Sequence, residues 1–143
     1  MPTPARQAAF DILLRVETRS SYASELLHSE LTEGLSPADL ALSTELALGT
    51  LRRQATLDFI AQQFVQTSWN ALDTEVRVAL RMGIYQLRYL SRIPKHAAVN
   101  ETVELVKRAR KSSAAGLVNA VLRKAAGAEL EALRPREMSE REW

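Results

Sequence analysis

The stretch Val76-Arg-Val-Ala-Leu-Arg-Met-Gly-Ile-Tyr-Gln-Leu-Arg-Tyr-Leu90 decides how this chain folds. At about 100° per residue, Val76, Ala79, Leu80, Ile84, Leu87 and Leu90 share one arc, and Val78, Met82 and Tyr89 share a second. Two apolar arcs place a helix at the centre of a bundle, buried on two sides. Gly83 lies in the middle of the first arc, where glycine costs about 1 kcal/mol of helix propensity. Close approach of another helix backbone is the expected return. The strip left over is about 80° wide and carries Arg77, Arg81, Tyr85, Arg88 and Arg92. Four guanidiniums with an interleaved aromatic suit phosphates and an unstacked base. The competing reading is that the Arg stems cover apolar neighbours and the Tyr packs.

Working outward, apolar residues recur at spacings of three and four, and no segment reads as a strand. The expectation is an all-α, compact bundle of about seven helices joined by short loops. A first helix spans Pro4 to Thr18, with proline suited to its first turn. A second runs from Tyr22 to Glu33 and stops at Gly34. Ser36-Pro-Ala-Asp39 starts a third, with Ser as cap and an acid at the third position, reaching Arg53. A fourth carries Leu57, Ile60, Ala61 and Phe64, and Thr67 to Asn70 is a loop. The central helix follows from Asp73 to Leu90. A sixth covers His96 to Lys111. A seventh, capped by Ser112 or Ser113, ends near Gly127. Residues 1–128 form the domain, and 129–143 read as a turn and then a polar tail, or the opening of a linker.

Composition narrows the chemistry. With 143 residues, 46% hydrophobic and 25% charged, the chain can build one core and is not disordered. It has no Cys and two His, which excludes disulfides, thiol catalysis and a Cys or His metal cluster. No glycine-rich phosphate loop and no Ser–His hydrolase motif is present, so no catalytic residue is nominated. No apolar run is long enough to span a membrane, and no secretory signal opens the chain. A cytoplasmic location is expected. The net charge of +2 conceals an uneven distribution. Residues 1–50 hold three Arg and seven acids, whereas 51–124 hold thirteen Lys and Arg and five acids. A basic middle of this kind can steer a polyanion.

The sixth helix has Glu101 and Glu104 early and Lys107, Arg108, Arg110 and Lys111 late, which complements the helix dipole. That explains the cluster structurally, and the same cations add field near Arg123 and Lys124 at the end of the seventh helix. Asn100 and Asn119 lie among apolar residues. A buried amide needs partners, so the two are expected to tie the start of the sixth helix to the seventh, with Gly116 permitting close packing. His96 is expected to act as a cap or packed ring.

Several segments together resemble a known family. They are Glu45-Leu-Ala-Leu-Gly-Thr-Leu-Arg-Arg53, Leu57-Asp58, Leu80 to Tyr89, Ile93-Pro-Lys-His-Ala-Ala-Val-Asn-Glu-Thr-Val-Glu-Leu-Val-Lys107, and Ala115-Gly-Leu-Val-Asn-Ala-Val-Leu-Arg-Lys124. In order and spacing they resemble the NusB-like fold from about Ala5 to Ala126. Gly49-Thr-Leu-Arg-Arg, Pro94-Lys-His-Ala-Ala-Val-Asn-Glu and Asn119-Ala-Val-Leu-Arg-Lys resemble the N-terminal domain of RsmB (Sun, Fmu), a 16S rRNA cytosine-C5 methyltransferase, more than NusB itself. NusB proteins usually open with several Arg; this chain has Arg6 alone there.

The resemblance implies an RNA-binding domain that holds small-subunit ribosomal RNA for a methyltransferase domain in cis. S-adenosylmethionine would be bound by that second domain, which carries two cysteines and is absent from these 143 residues; no cofactor is expected here. The chain is then expected to be a piece of a longer protein. Candidate RNA contacts are Arg77, Arg81, Tyr85 and Arg88, with Lys107, Arg108, Lys111, Arg123 and Lys124 at the periphery. Asn100, Glu101 and Asn119 are structural. Two other readings stand beside this one. The domain could be a scaffold that packs on the methyltransferase domain or on a ribosomal protein, or it could be a free antitermination factor that selects a boxA-like RNA.

Overall fold

The computed structural model describes residues 2–143. Seven α-helices fold around one core: α1 (Pro4–Arg19), α2 (Ala23–Leu26), α3 (Pro37–Arg52), α4 (Gln54–Gln62), α5 (Thr74–Tyr89), α6 (Lys95–Arg108) and α7 (Ala115–Ala126). Short 3-10 turns at Glu30–Thr32, Trp69–Ala71, Ser112–Ala114 and Leu130–Leu133 complete the chain. No strand occurs among the described residues.

The start of α3 follows from its sequence. Ser36 Oγ accepts from the Asp39 amide at 3.1 Å, and Pro37 occupies the first turn. Elsewhere the boundaries differ from expectation. The second helix is a single turn, because the backbone leaves the helix after Leu26, and Ser29 caps a separate 3-10 turn instead. Gly34, at φ +80, ends that segment. Neither Ser112 nor Ser113 caps α7; both lie in the 3-10 turn that leads into it.

Helix α5 packs against α1, α3, α4, α6 and α7. Every residue from Val78 to Gln86 is buried. Leu46, Leu57, Ile60, Leu80, Met82, Ile84, Leu105 and Leu122 are fully enclosed, each contributing roughly 1.5–3 kcal/mol through burial. Gly83 is needed because Leu122 of α7 lies against it: an added Cβ would come within 2.8 Å of the leucine side chain. The close neighbour is therefore a side chain, not a helix backbone. Gly49 of α3 has the same role on the opposite flank, where a Cβ would overlap the Tyr85 ring. Gly116 has open space around it and serves no packing.

The segment after α7 is not a loose polar tail. Trp143 is 1% exposed and meets Phe59 edge-on with ring centroids 6.1 Å apart. The Tyr89 hydroxyl donates to the Trp143 carbonyl oxygen at 2.6 Å, and Arg53 donates to the Arg141 carbonyl at 3.3 Å. Residues 134–143 thus lie as a strap across α4 and α5.

Candidate nucleic-acid interface

The α5 stripe does not form an open ridge. Arg81 is 6% exposed; its Nε donates to Asp58 Oδ1 at 2.6 Å and its Nη2 to Asp58 Oδ2 at 3.2 Å. Glu17 lies 3.6 Å from the same guanidinium. Tyr85 is 5% exposed, and its hydroxyl donates to Glu45 Oε1 at 2.7 Å. Burial, reinforced by that carboxylate, pushes the phenol up to about 12. Arg77 folds back on the loop before α5, donating to the Leu72 carbonyl at 3.1 Å and to Thr74 Oγ1 at 3.3 Å. Arg88 donates to Glu131 Oε2 at 2.9 Å and sits over the Tyr89 and Trp143 rings.

The expectation that Arg81 and Tyr85 grip RNA is corrected by their burial, while Arg77 and Arg88 are half-buried and engaged within the fold. Arg81 and Tyr85 lie in the stretch of α5 that is enclosed on all sides and are tied to carboxylates there, whereas Arg77 is engaged by oxygen atoms of the preceding loop and of Thr74, and Arg88 by Glu131. Asp58 and Glu45 were present in the quoted motifs, and pairing each with the stripe could have revealed the clamp.

The expected tie between Asn100 and Asn119 is also absent. Asn100 is exposed, and Asn119 accepts from Arg123 Nε at 3.2 Å within α7. Glu101 does the tying, but to α1: its carboxylate accepts from Arg6 Nη1 at 2.7 Å and from the Thr3 amide at 2.7 Å. Arg6, which also donates to Gln86 Oε1 at 2.7 Å, is buried. His96 neither caps α6 nor packs inside; it is exposed.

Accessible cations lie on or beside α6 and α7, and others are exposed at Arg19, Arg52, Arg92, Arg136 and Arg141. Lys107, Arg108, Arg110, Arg123 and Lys124 are exposed. Lys107 pairs with Glu104 at 3.5 Å within its own helix. Lys111 is half-buried and reaches Asp73 at 3.2 Å, which raises its pKa. Arg110 has φ +63. The Lys111 amide bonds the Val106 carbonyl and the Arg110 amide bonds the Lys107 carbonyl, so α6 closes in a Schellman motif with Arg where glycine is usual.

Helix α7 contains no carboxylate. Its exposed residues are Gly116, Ala120, Arg123 and Lys124, which leaves a low surface with two cations at one end. That helix stands as a ridge between two grooves. One, of about 320 Å³, is lined by Lys95, His96, Val99, Asn100, Arg123 and Ala126. The other, of about 330 Å³, is lined by Phe64, Gln66, Thr67, Leu117, Ala120, Val121 and Lys124. Among the described residues, no group of acids and histidines could hold a metal ion, and no helix is long and apolar enough to cross a membrane.

Comparison with known proteins places this geometry. The NusB family model matches residues 3–127. A putative methyltransferase of Mycobacterium tuberculosis is 41% identical over 125 residues, covering 87% of this chain and 27% of the relative. A probable ribosomal RNA small subunit methyltransferase B of Synechocystis is 38% identical over 126 residues, covering 87% and 28%. The chain thus spans about a quarter of the length of these curated relatives. Among solved structures, antitermination factor NusB, crystallised with NusE and double-stranded RNA, superposes with a TM-score of 0.77 at 26% identity, covering 86% of this chain and 93% of that one. The solution structure of Aquifex aeolicus NusB gives 0.74 at 25% identity, covering 94% and 93%. A fold built on the enclosed α5, matched by family, relatives and structures alike, has one consequence: this chain belongs to the NusB family.

Proposed function

We propose that this chain is the RNA-holding, non-catalytic part of a larger cytoplasmic rRNA (cytosine-C5) methyltransferase, and that it grips small-subunit ribosomal RNA on the solvent face of α7. The observation that carries this reading is the ridge itself. It bears two exposed cations at its C-terminal end and no carboxylate, and the exposed Gly116 and Ala120 that precede them let a phosphodiester backbone lie close. Lys107, Arg108, Arg110 and Lys111 extend the positive field beyond the other end of α7. The relatives named for small-subunit rRNA methylation and the NusB structure that holds RNA support it.

Holding the substrate turns its capture by a tethered active site into an intramolecular event. S-adenosylmethionine is the cofactor that such an enzyme would use. Cofactor and bond-making are assigned to the methyltransferase domain in cis.

The test is fluorescence anisotropy with a labelled single-stranded segment of 16S rRNA at increasing salt. With six phosphates neutralised, log affinity should fall against log salt with a slope of about −4. Absence of binding at low salt, or affinity indifferent to salt, contradicts the reading.

A second reading has one observation in its favour. The groove beside Phe64 has an apolar floor of Leu117, Ala120 and Val121, and the NusB structure holding RNA also contains NusE. A ribosomal protein is the partner this reading would take.

A further inference from the structure

We propose that the groove between the first turn of α6 and the last turn of α7 receives a single unpaired nucleotide of RNA, with its phosphate held by Lys95 and Arg123 and its base read by Asn100. This rests on the α7 reading above and deepens it, by naming the subsite where the strand is read and not merely held.

The groove, of about 320 Å³, is of the size that small ligands occupy. Its floor is apolar, made of Val99 and Ala126, and its polar lining consists of Lys95, His96, Asn100 and Arg123, with no carboxylate. Each of the two cations is oriented by one hydrogen bond. The Lys95 ammonium donates to the Ala126 carbonyl at 2.8 Å, which holds it across the groove mouth with two donors to spare. Arg123 Nε is bonded to Asn119 Oδ1 at 3.2 Å, which leaves the two terminal nitrogens of the fork for a phosphate. Asn119 is therefore a positioning residue for Arg123. The start of α6, with no side-chain cap, adds the positive end of its dipole.

Asn100 is exposed, and its side chain makes no hydrogen bond among the described residues. A carboxamide offers a donor and an acceptor side by side, the pattern that pairs with a base edge. An unpaired base can be splayed out to meet it, which a duplex does not permit. Glu129 and Glu131 line a neighbouring groove that shares Lys95 and Ala126 with this one. Glu131 is paired there with Arg88 and Arg134, so the carboxylates of that groove are set apart from the carboxylate-free path along α7.

The experiment measures binding of labelled single-stranded 12-mers of A, C or U to the whole chain at low salt, with melting temperatures recorded for each variant. Asn100→Ala is expected to weaken the preferred oligomer about tenfold, the loss of one bidentate amide–base contact, and to level the preference among the three. Asn119→Ala is expected to weaken all three oligomers alike, since it releases Arg123. In NMR spectra, the Asn100 side-chain amide is expected to shift on titration with the 12-mer. If the wild-type chain binds RNA and Arg123→Glu or Lys124→Glu weakens it, while Asn100→Ala binds like wild type and the amide does not shift, the subsite is overturned and the α7 reading stands. If the wild-type chain binds none of the oligomers and no 16S rRNA segment, both fail.

Discussion

Arg81 and Asp58 form a two-point clamp between α5 and α4, with Nε to Oδ1 at 2.6 Å and Nη2 to Oδ2 at 3.2 Å. The guanidinium side chain is 7% exposed and the carboxylate 22%, so the pair is largely withdrawn from solvent. Such a pair contributes little net stability compared with an apolar substitute, yet it is costly to break by halves. Arg81→Ala leaves Asp58 without its partner and is expected to lower stability by about 3 kcal/mol. The check is the midpoint of urea unfolding. An unchanged midpoint, with RNA affinity lost, would return Arg81 to the RNA surface.

Gly49 and Tyr85 are coupled by shape. A methyl group at position 49 overlaps the Tyr85 ring, so Gly49→Ala is expected to cost roughly 1–3 kcal/mol by overpacking. The cost should shrink markedly when Tyr85 is already alanine. A double-mutant cycle measured by chemical denaturation tests this, and additive costs would count against the contact.

Tyr85 also sets an alkaline limit. Its folded-state pKa is raised to about 12 from an ordinary value of 10.0, through burial and then the hydrogen bond to Glu45. Burial likewise raises Tyr89. Between these limits the native state holds protons that the unfolded chain has released. Stability is therefore fully present below pH 10, is lost as pH rises, and the loss is complete above about pH 12. Tyrosinate absorbance should show a late-titrating phenol that disappears in Tyr85→Phe. A variant with the same late titration would refute the assignment.

Arg110 gives an opposition of signs. Its φ of +63 lies in the left-handed region at the Schellman position closing α6, where a side chain costs about 1 kcal/mol relative to glycine. Arg110→Gly is expected to raise stability by about that amount and to weaken RNA binding. A thermal melt and an anisotropy titration on the same sample test both signs. Gained stability with unchanged affinity would remove Arg110 from the RNA surface.

Much of the fold was readable because its signals are local. The Ser36-Pro37 start of α3 and the two apolar arcs of α5 each state a helix and its buried face without reference to distant residues. The site was less readable because its decisive facts are long-range. Whether Arg81 faces water depends on Asp58 and Glu17, and whether Tyr85 is free depends on Glu45, forty residues earlier in the chain. A stripe of Arg on a helix has the same periodicity whether solvent or a second helix lies opposite. Asn100 and Asn119 misled in the reverse sense. Apolar neighbours in sequence suggested burial, but the period of α6 and α7 turns both amides away from the core. Arg6 shows the same point at the amino-terminal end. Buried against Gln86 and paired with Glu101, it fastens α1 to α5 and α6 and has no charge left to offer a strand.

The central claim is that the face of α7 holds the RNA, and the most direct measurement is a charge reversal confined to that face. Arg123→Glu combined with Lys124→Glu alters two exposed side chains outside the core, so melting temperature should change little. Affinity for the labelled 16S rRNA segment at low salt should fall at least tenfold, and the salt slope should flatten by about 1.4 for two lost phosphate contacts. Wild-type affinity and slope in the doubly reversed protein would contradict the account.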